Sequence, residues 1–154
     1  NQTERVFKML GYDNLKIESH CFIGGTKISN DINALQNGCQ VAVGTPGRVL
    51  AMIEKKFLKL TSLKVLILDE ADDMLSRGFL EDMKKIISFI SPECIIWLIS
   101  ATINKEVLQL SKNFMSDPVK ILVKKENLIL KNVKQYYLMV KKEWKLECLF
   151  DLYR

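Results

Sequence analysis

The sequence predicts an α/β fold built on a parallel β-sheet. Three observations carry this expectation. Apolar strand-like runs alternate with amphipathic helical segments along most of the chain. Two of the runs, KVLILDE (64–70) and IIWLIS (95–100), are apolar almost throughout rather than alternating, as strands buried on both faces of a parallel sheet tend to be. The strand runs also end in glycines or polar clusters, and parallel sheets bind ligands beyond the carboxyl ends of their strands.

The elements follow in order. Thr3 is placed to cap a helix carrying Val6, Phe7 and Leu10 on one face, ended by Gly11. KIESHCFI (16–23) reads as a strand. Ser29 opens a helix that buries Ile32 and Leu35 and stops at Gly38. CQVAVG (39–44) is the next strand, and Thr45-Pro46 has the form of an N-cap followed by proline at the first helical position. The two apolar runs come next, with Trp97 read as core. Asn104 caps a helix with Val107, Leu110 and Phe114 as its stripe, and VKILV (119–123) closes the series as a strand. The charged stretch 124–134 lacks periodicity and reads as a linker. A strand at 135–140 and an amphipathic helix running to Arg154 then look like the opening of a second domain, with Tyr136, Tyr137 and Trp144 taken as core aromatics.

Composition bounds the function without choosing it. The chain has 154 residues, enough for one domain with a sizeable core, and its 48% hydrophobic and 27% charged content is ordinary for a globular protein. A net charge of +5 is compatible with a polyanionic partner but does not demand one. Cys21, Cys39, Cys94 and Cys148 lie far apart with no Cys-x-x-Cys pair, so buried thiols in a reducing compartment are expected rather than a zinc site. The one histidine, His20, is given a structural role. No apolar stretch is long enough to span a bilayer, and no signal peptide is read. The chain does not open on Met, so an excerpt from a longer protein is expected.

Chemistry concentrates at the strand ends. KVLILDE runs four apolar residues into Asp69 and Glu70, with Asp72 and Asp73 close behind. An apolar strand ending in Asp-Glu matches the second nucleotide-binding motif of P-loop ATPases. There the first carboxylate holds Mg²⁺, usually through water, and the second orients and deprotonates the attacking water. On this stretch alone, carboxylates capping the next helix explain the pattern equally well. The tetrapeptide Asp69-Glu70-Ala71-Asp72 is more specific, since chance supplies it in roughly one chain of this length in a thousand. Three more strand ends carry Gly24-Gly25, Thr45-Pro46-Gly47-Arg48 and Ser100-Ala101-Thr102. A helix N-terminus at Thr45 offers unpaired backbone N–H groups, glycines let a phosphate approach closely, and arginine can contact it in a bidentate fashion.

Taken together in this order, these residues resemble the DEAD-box RNA helicases. LDEADDMLSRGF and ILVKKENLIL with EWKLECLFDLY look closest to the translation initiation factor 4A subfamily, and the resemblance covers essentially the whole chain. It implies a RecA-like sheet flanked by helices, with residues 1–123 as an incomplete first helicase domain, 124–134 as linker and 135–154 as the start of a second RecA-like domain. It implies ATP and Mg²⁺ as cofactors, with Asp69 on the metal side and Glu70 activating water. It implies that Asp72 meets Ser100 and Thr102 to link the nucleotide site to unwinding. It implies that Gly24, Gly25, Thr45, Gly47 and Arg48 hold RNA by its backbone, independent of base sequence. A scaffold of the initiation factor 4G type becomes a candidate partner, and the location cytoplasmic, or nuclear for the exon-junction paralogue.

The sequence also departs from the family. It contains no Gly-x-x-x-x-Gly-Lys-Ser/Thr loop, no threonine-arginine-glutamate motif and no second-domain arginine motif. The chain by itself is therefore expected to be inactive, and a truncated RNA-binding or decoy protein is the alternative reading. A P-loop ATPase acting on something other than RNA is disfavoured by the joint presence of the other motifs. Family members carry a smaller aliphatic residue where Trp97 stands. The strand leading into the missing loop normally lies beside the one ending in Ser-Ala-Thr, so an unpaired edge is expected next to residues 95–100.

Overall fold

The structure is a computed structural model that describes residues 2–11, 17–122, 133–134 and 136–154. The chain forms two compact units, Asn1–Asp117 and Pro118–Arg154.

In the first unit, helices and strands alternate as the sequence pattern requires. Their order is α1 (Gln2–Gly11), β1 (Ser19–Phe22), α2 (Ile28–Gln36), β2 (Val41–Gly44), α3 (Pro46–Glu54), β3 (Val65–Leu68), α4 (Ala71–Ser76), α5 (Leu80–Ser88), β4 (Ile95–Leu98) and α6 (Lys105–Phe114). Both strand pairings are parallel. β1 pairs with β2, setting Phe22 opposite Gly44, and β3 pairs with β4, setting Leu68 opposite Leu98. The expected single sheet is thus two separate two-stranded ladders among the described residues, because no strand joins β1–β2 to β3–β4. Among the described residues β4 pairs only with β3, which leaves the edge expected beside residues 95–100.

Helix boundaries differ from the expected ones in small ways. Pro46 stands at the first turn of α3 with Thr45 as its N-cap, as read. Asn104 caps α6 through its side chain, accepting the Val107 N–H at 2.8 Å. Thr3, however, lies inside α1, and α2 opens after Lys27 rather than at Ser29.

Two apolar clusters hold the unit together. Leu50, Ile53, Leu60 and Ile86 join α3 to α5. Leu68, Met83 and Leu110 join β3, α5 and α6, with Leu66, Ile96 and Leu98 packed against them. The β3–β4 ladder is therefore covered on one face only. Val65, Ile67, Ile95 and Trp97 occupy the alternate positions, and each is 39% to 57% exposed. This corrects the expectation of burial on both faces and of Trp97 as core: among the described residues nothing packs on that side. The four cysteines are half-buried rather than buried.

One glycine is required by packing. A Cβ on Gly44 would lie 2.6 Å from the Phe22 carbonyl oxygen and 2.6 Å from a Val49 methyl. The same carbonyl accepts the Thr45 N–H at 3.0 Å, so it is not free to retreat. Gly44→Ala should therefore destabilise the fold by about 1–3 kcal/mol. A thermal melt of the full-length protein checks this, and a melting temperature matching wild type would show that the crossing gives way without cost.

In the second unit, Lys142–Trp144 form a 3₁₀ turn that leads into α7 (Lys145–Leu152). Neither strand expected around it forms among the described residues. Residues 118–122 and 136–140 carry no ladder, since strand propensity is realised only against a partner and none is present among the described residues. Tyr136 and Tyr137 are accordingly 86% and 91% exposed, and Trp144 is also exposed beneath the Lys141 ammonium, 5.0 Å from its ring centroid. Most of the expected linker lies outside the described residues. No helix among the described residues is long and apolar enough to cross a membrane.

Candidate nucleotide and RNA site

Asp69 and Glu70 follow β3 directly and turn the chain into α4. The turn is strained: Glu70 holds φ 53° and ψ 47°, a left-handed conformation that non-glycine residues rarely take and that costs on the order of 1–3 kcal/mol. Neighbouring backbone holds it there. The Ile99 N–H donates to the Leu68 carbonyl at 2.9 Å, and the Ala71 N–H donates to the Ile99 carbonyl at 3.1 Å. The sheet ladder thus continues through residue 99 into the helix start, which is why the strand runs looked longer in sequence than the strands that form.

Simple helix capping does not account for these acids. Glu70 occupies the N-cap position of α4 but makes no side-chain cap. Asp69 Oδ1 accepts the Glu70 N–H at 3.0 Å, a local bond within the turn. Neither carboxylate has a cationic side chain as a partner among the described residues. Two hard oxygen donors at a strand end suit Mg²⁺ held through water, so this half of an ATP–Mg²⁺ site fits. The glycine-rich phosphate cradle is not encoded in this chain.

Asp72 turns the other way, to the end of β4. Its Oδ2 accepts the Thr102 hydroxyl at 2.7 Å and the Thr102 N–H at 3.1 Å. Ser100 Oγ donates to the Thr102 carbonyl at 2.8 Å, which fixes the shape of the Ser-Ala-Thr segment. The hydrogen bond from the Thr102 hydroxyl holds the Asp72 carboxyl below the usual carboxylate range. The fold thus favours the ionised form. The contact is present above the ordinary carboxylate pKa and is lost only as pH falls through the lower folded value. Asp73, by contrast, pairs with Arg77, the C-cap of the same helix, at 2.7 Å.

The second cluster lies at the ends of β1 and β2. Gly24 and Gly25 form a turn after β1, and a Cβ built on either would meet nothing within 4 Å. Gly25 has φ +80°, which glycine adopts without strain. Thr45, Gly47 and Arg48 begin α3, and the β1–β2 pairing brings them beside the Gly-Gly turn.

Arg48 does not point outward. Its side chain is only 12% exposed, with Nε 2.9 Å from Asp31 Oδ2. That nitrogen's hydrogen is not aimed at the oxygen, so the link is an ion pair rather than a formed hydrogen bond. Arg48 Nη2 donates to the Thr26 carbonyl and to Thr26 Oγ1, the latter at 3.0 Å. Asp31, 1% exposed, also meets His20 Nε2 at 2.8 Å, which gives His20 the structural role assigned to it. Sequence reasoning missed Asp31 and Thr26. One signal was available: Ile28, Asp31, Ile32 and Leu35 share helical spacing, so an acid sits on an otherwise apolar stripe.

Comparison with known proteins gives the family. A family model described as DEAD/DEAH box helicase matches residues 1–110. The chain is 49% identical over 153 residues to an ATP-dependent RNA helicase eIF4A of Pyricularia oryzae and 48% identical to Eukaryotic initiation factor 4A of Drosophila melanogaster. Each match covers 99% of this chain but 38% of the relative, so the chain spans well under half of those proteins. A solved DEAD box protein from the hyperthermophile Methanococcus jannaschii superposes with a TM-score of 0.72 at 34% identity, over 99% of this chain and 42% of that one. With the family model covering most of its length and the strand-end residues in one order, this chain belongs to the DEAD/DEAH box helicase family.

Proposed function

We propose that this chain is part of an ATP-dependent RNA helicase of the initiation factor 4A type, which couples ATP hydrolysis to RNA clamping and local duplex separation. Residues 1–123 contribute part of the first RecA-like domain, 124–134 a linker and 135–154 the opening of the second. Bound ATP with Mg²⁺ supplies the transferable phosphoryl group. Asp69 is the residue to hold the metal through water, and Glu70 is the one to orient the attacking water and take its proton. Gly24, Gly25, Thr45 and Gly47, together with Arg48, form the RNA side, which reads backbone and not base. The relatives' printed names support translation initiation as the setting, and with that setting the proposal takes the cytoplasm as the location and a scaffold of the initiation factor 4G type as a candidate partner.

One observation carries the coupling. The Asp72 carboxylate, three residues from Asp69, receives both the hydroxyl and the N–H of Thr102 from the end of the neighbouring strand. A shift of either strand end is therefore felt by the other. The test is strand separation of a short RNA duplex by the full-length protein, with and without ATP. Separation that requires ATP, and ATP hydrolysis that rises with RNA, is the expected result. Hydrolysis indifferent to RNA would overturn the reading.

A further inference from the structure

We propose that Asp31 is a positioning residue for RNA binding, acting through Arg48 to hold the Gly24–Gly25 turn against the start of α3. This rests on the reading of that turn as an RNA contact. It also changes the role of Arg48, from a hand that grips phosphate to a strut behind the surface that does.

The argument begins with burial. A carboxylate with 1% exposure is costly unless it is paired. Asp31 is paired twice, with His20 on β1 and with Arg48 on α3. Arg48 is turned inward, and its remaining contacts go to Thr26, two residues past Gly24. Thr26 in turn donates its hydroxyl to the Ile23 carbonyl at 2.9 Å, which closes the turn around the two glycines. The chain of contacts therefore runs from α2 through α3 to the turn. Nothing else described ties the turn to α3 by a side chain. Gly24, Gly25 and Gly47 are exposed, with open space around the first two and Asp82 Oδ2 3.4 Å from where a Cβ on Gly47 would stand. Backbone N–H groups read phosphate only if held at fixed positions, and the Asp31–Arg48–Thr26 chain supplies that rigidity.

A direct phosphate contact by Arg48 predicts the opposite sign. In that case Asp31 competes with RNA for the guanidinium, and removing its charge should tighten binding. The experiment measures affinity of the full-length protein for two unrelated single-stranded RNAs by fluorescence anisotropy across a salt series. Asp31→Asn, Arg48→Gln, the double variant and Gly24→Asp are compared, each with a thermal melt.

Asp31→Asn is expected to weaken binding to both RNAs, roughly tenfold, although it removes a negative charge. Arg48→Gln should weaken binding with the salt slope unchanged. In the double variant no unpaired ion is left buried, so the melt should recover toward wild type while RNA affinity stays low. Unchanged or tighter binding by Asp31→Asn overturns the proposal. So does a salt slope reduced by about 0.7 in Arg48→Gln, the mark of one lost phosphate contact on a single strand. Affinity that recovers together with the melt in the double variant would make Asp31 merely structural, which also overturns it. Gly24→Asp separates the two levels of the argument. Its side chain has room to fold but stands in the path of a phosphate. If it leaves affinity intact, the turn is not an RNA contact and the underlying reading fails. If it abolishes binding while Asp31→Asn does not weaken it, only the positioning role fails.

Discussion

Glu70→Gln in the full-length protein is expected to lower RNA-stimulated ATP turnover about a hundredfold or more while leaving ATP binding in place. The substitution keeps the size of the side chain and removes its basicity. Glu70 makes no side-chain cap on α4 and carries no ion pair among the described residues, so little structural energy is lost with its charge. The strained backbone at residue 70 is set by the Ala71–Ile99 and Ile99–Leu68 bonds, which glutamine leaves untouched. A drop in turnover without a drop in melting temperature is therefore the signature of lost chemistry. Turnover near wild type would show that another group activates the water.

The second large effect concerns coupling. Ser100→Ala with Thr102→Ala removes the hydroxyl that Asp72 accepts at 2.7 Å and the hydroxyl that shapes the segment around it. The Thr102 N–H remains, so the strand end keeps one bond to Asp72. Asp69 and Glu70 keep their positions, which depend on backbone bonds. Duplex separation should then fall roughly tenfold more than ATP hydrolysis. Equal loss of both, with folding intact, would make the segment a structural support for the nucleotide side rather than a link to RNA.

Much of this was legible because it is local. Strand cores follow from short apolar runs, and the capped starts of α3 and α6 follow from Thr45-Pro46 and Asn104. The pairing of Asp72 with Thr102 was expected through family resemblance, and the geometry brings the two together. What failed is what depends on partners distant in sequence. VKILV and QYYLMV have strand composition but no neighbour to pair with among the described residues, and Tyr136 and Tyr137 stay exposed for the same reason. KVLILDE and IIWLIS read as doubly covered because apolar composition reports what a surface can bury, not what is present to bury it. Asp31 escaped notice because its meaning lies in His20 and Arg48, which only the β1–β2 pairing brings around it. The glycines after β1 were recognised as a motif, but the need for glycine at position 44 appears only once Phe22 is set opposite it.

In the proposed mechanism the bond between Asp72 and Thr102 carries energy from ATP to RNA. A double-mutant cycle tests it most directly, with Asp72→Asn, Thr102→Val and both together, read as duplexes separated per ATP hydrolysed by the full-length protein. If the two residues act through one another, each single change lowers that yield and the double variant is no worse than the poorer single. If the losses multiply, the residues act independently, and the contact between the strand ends is not the link.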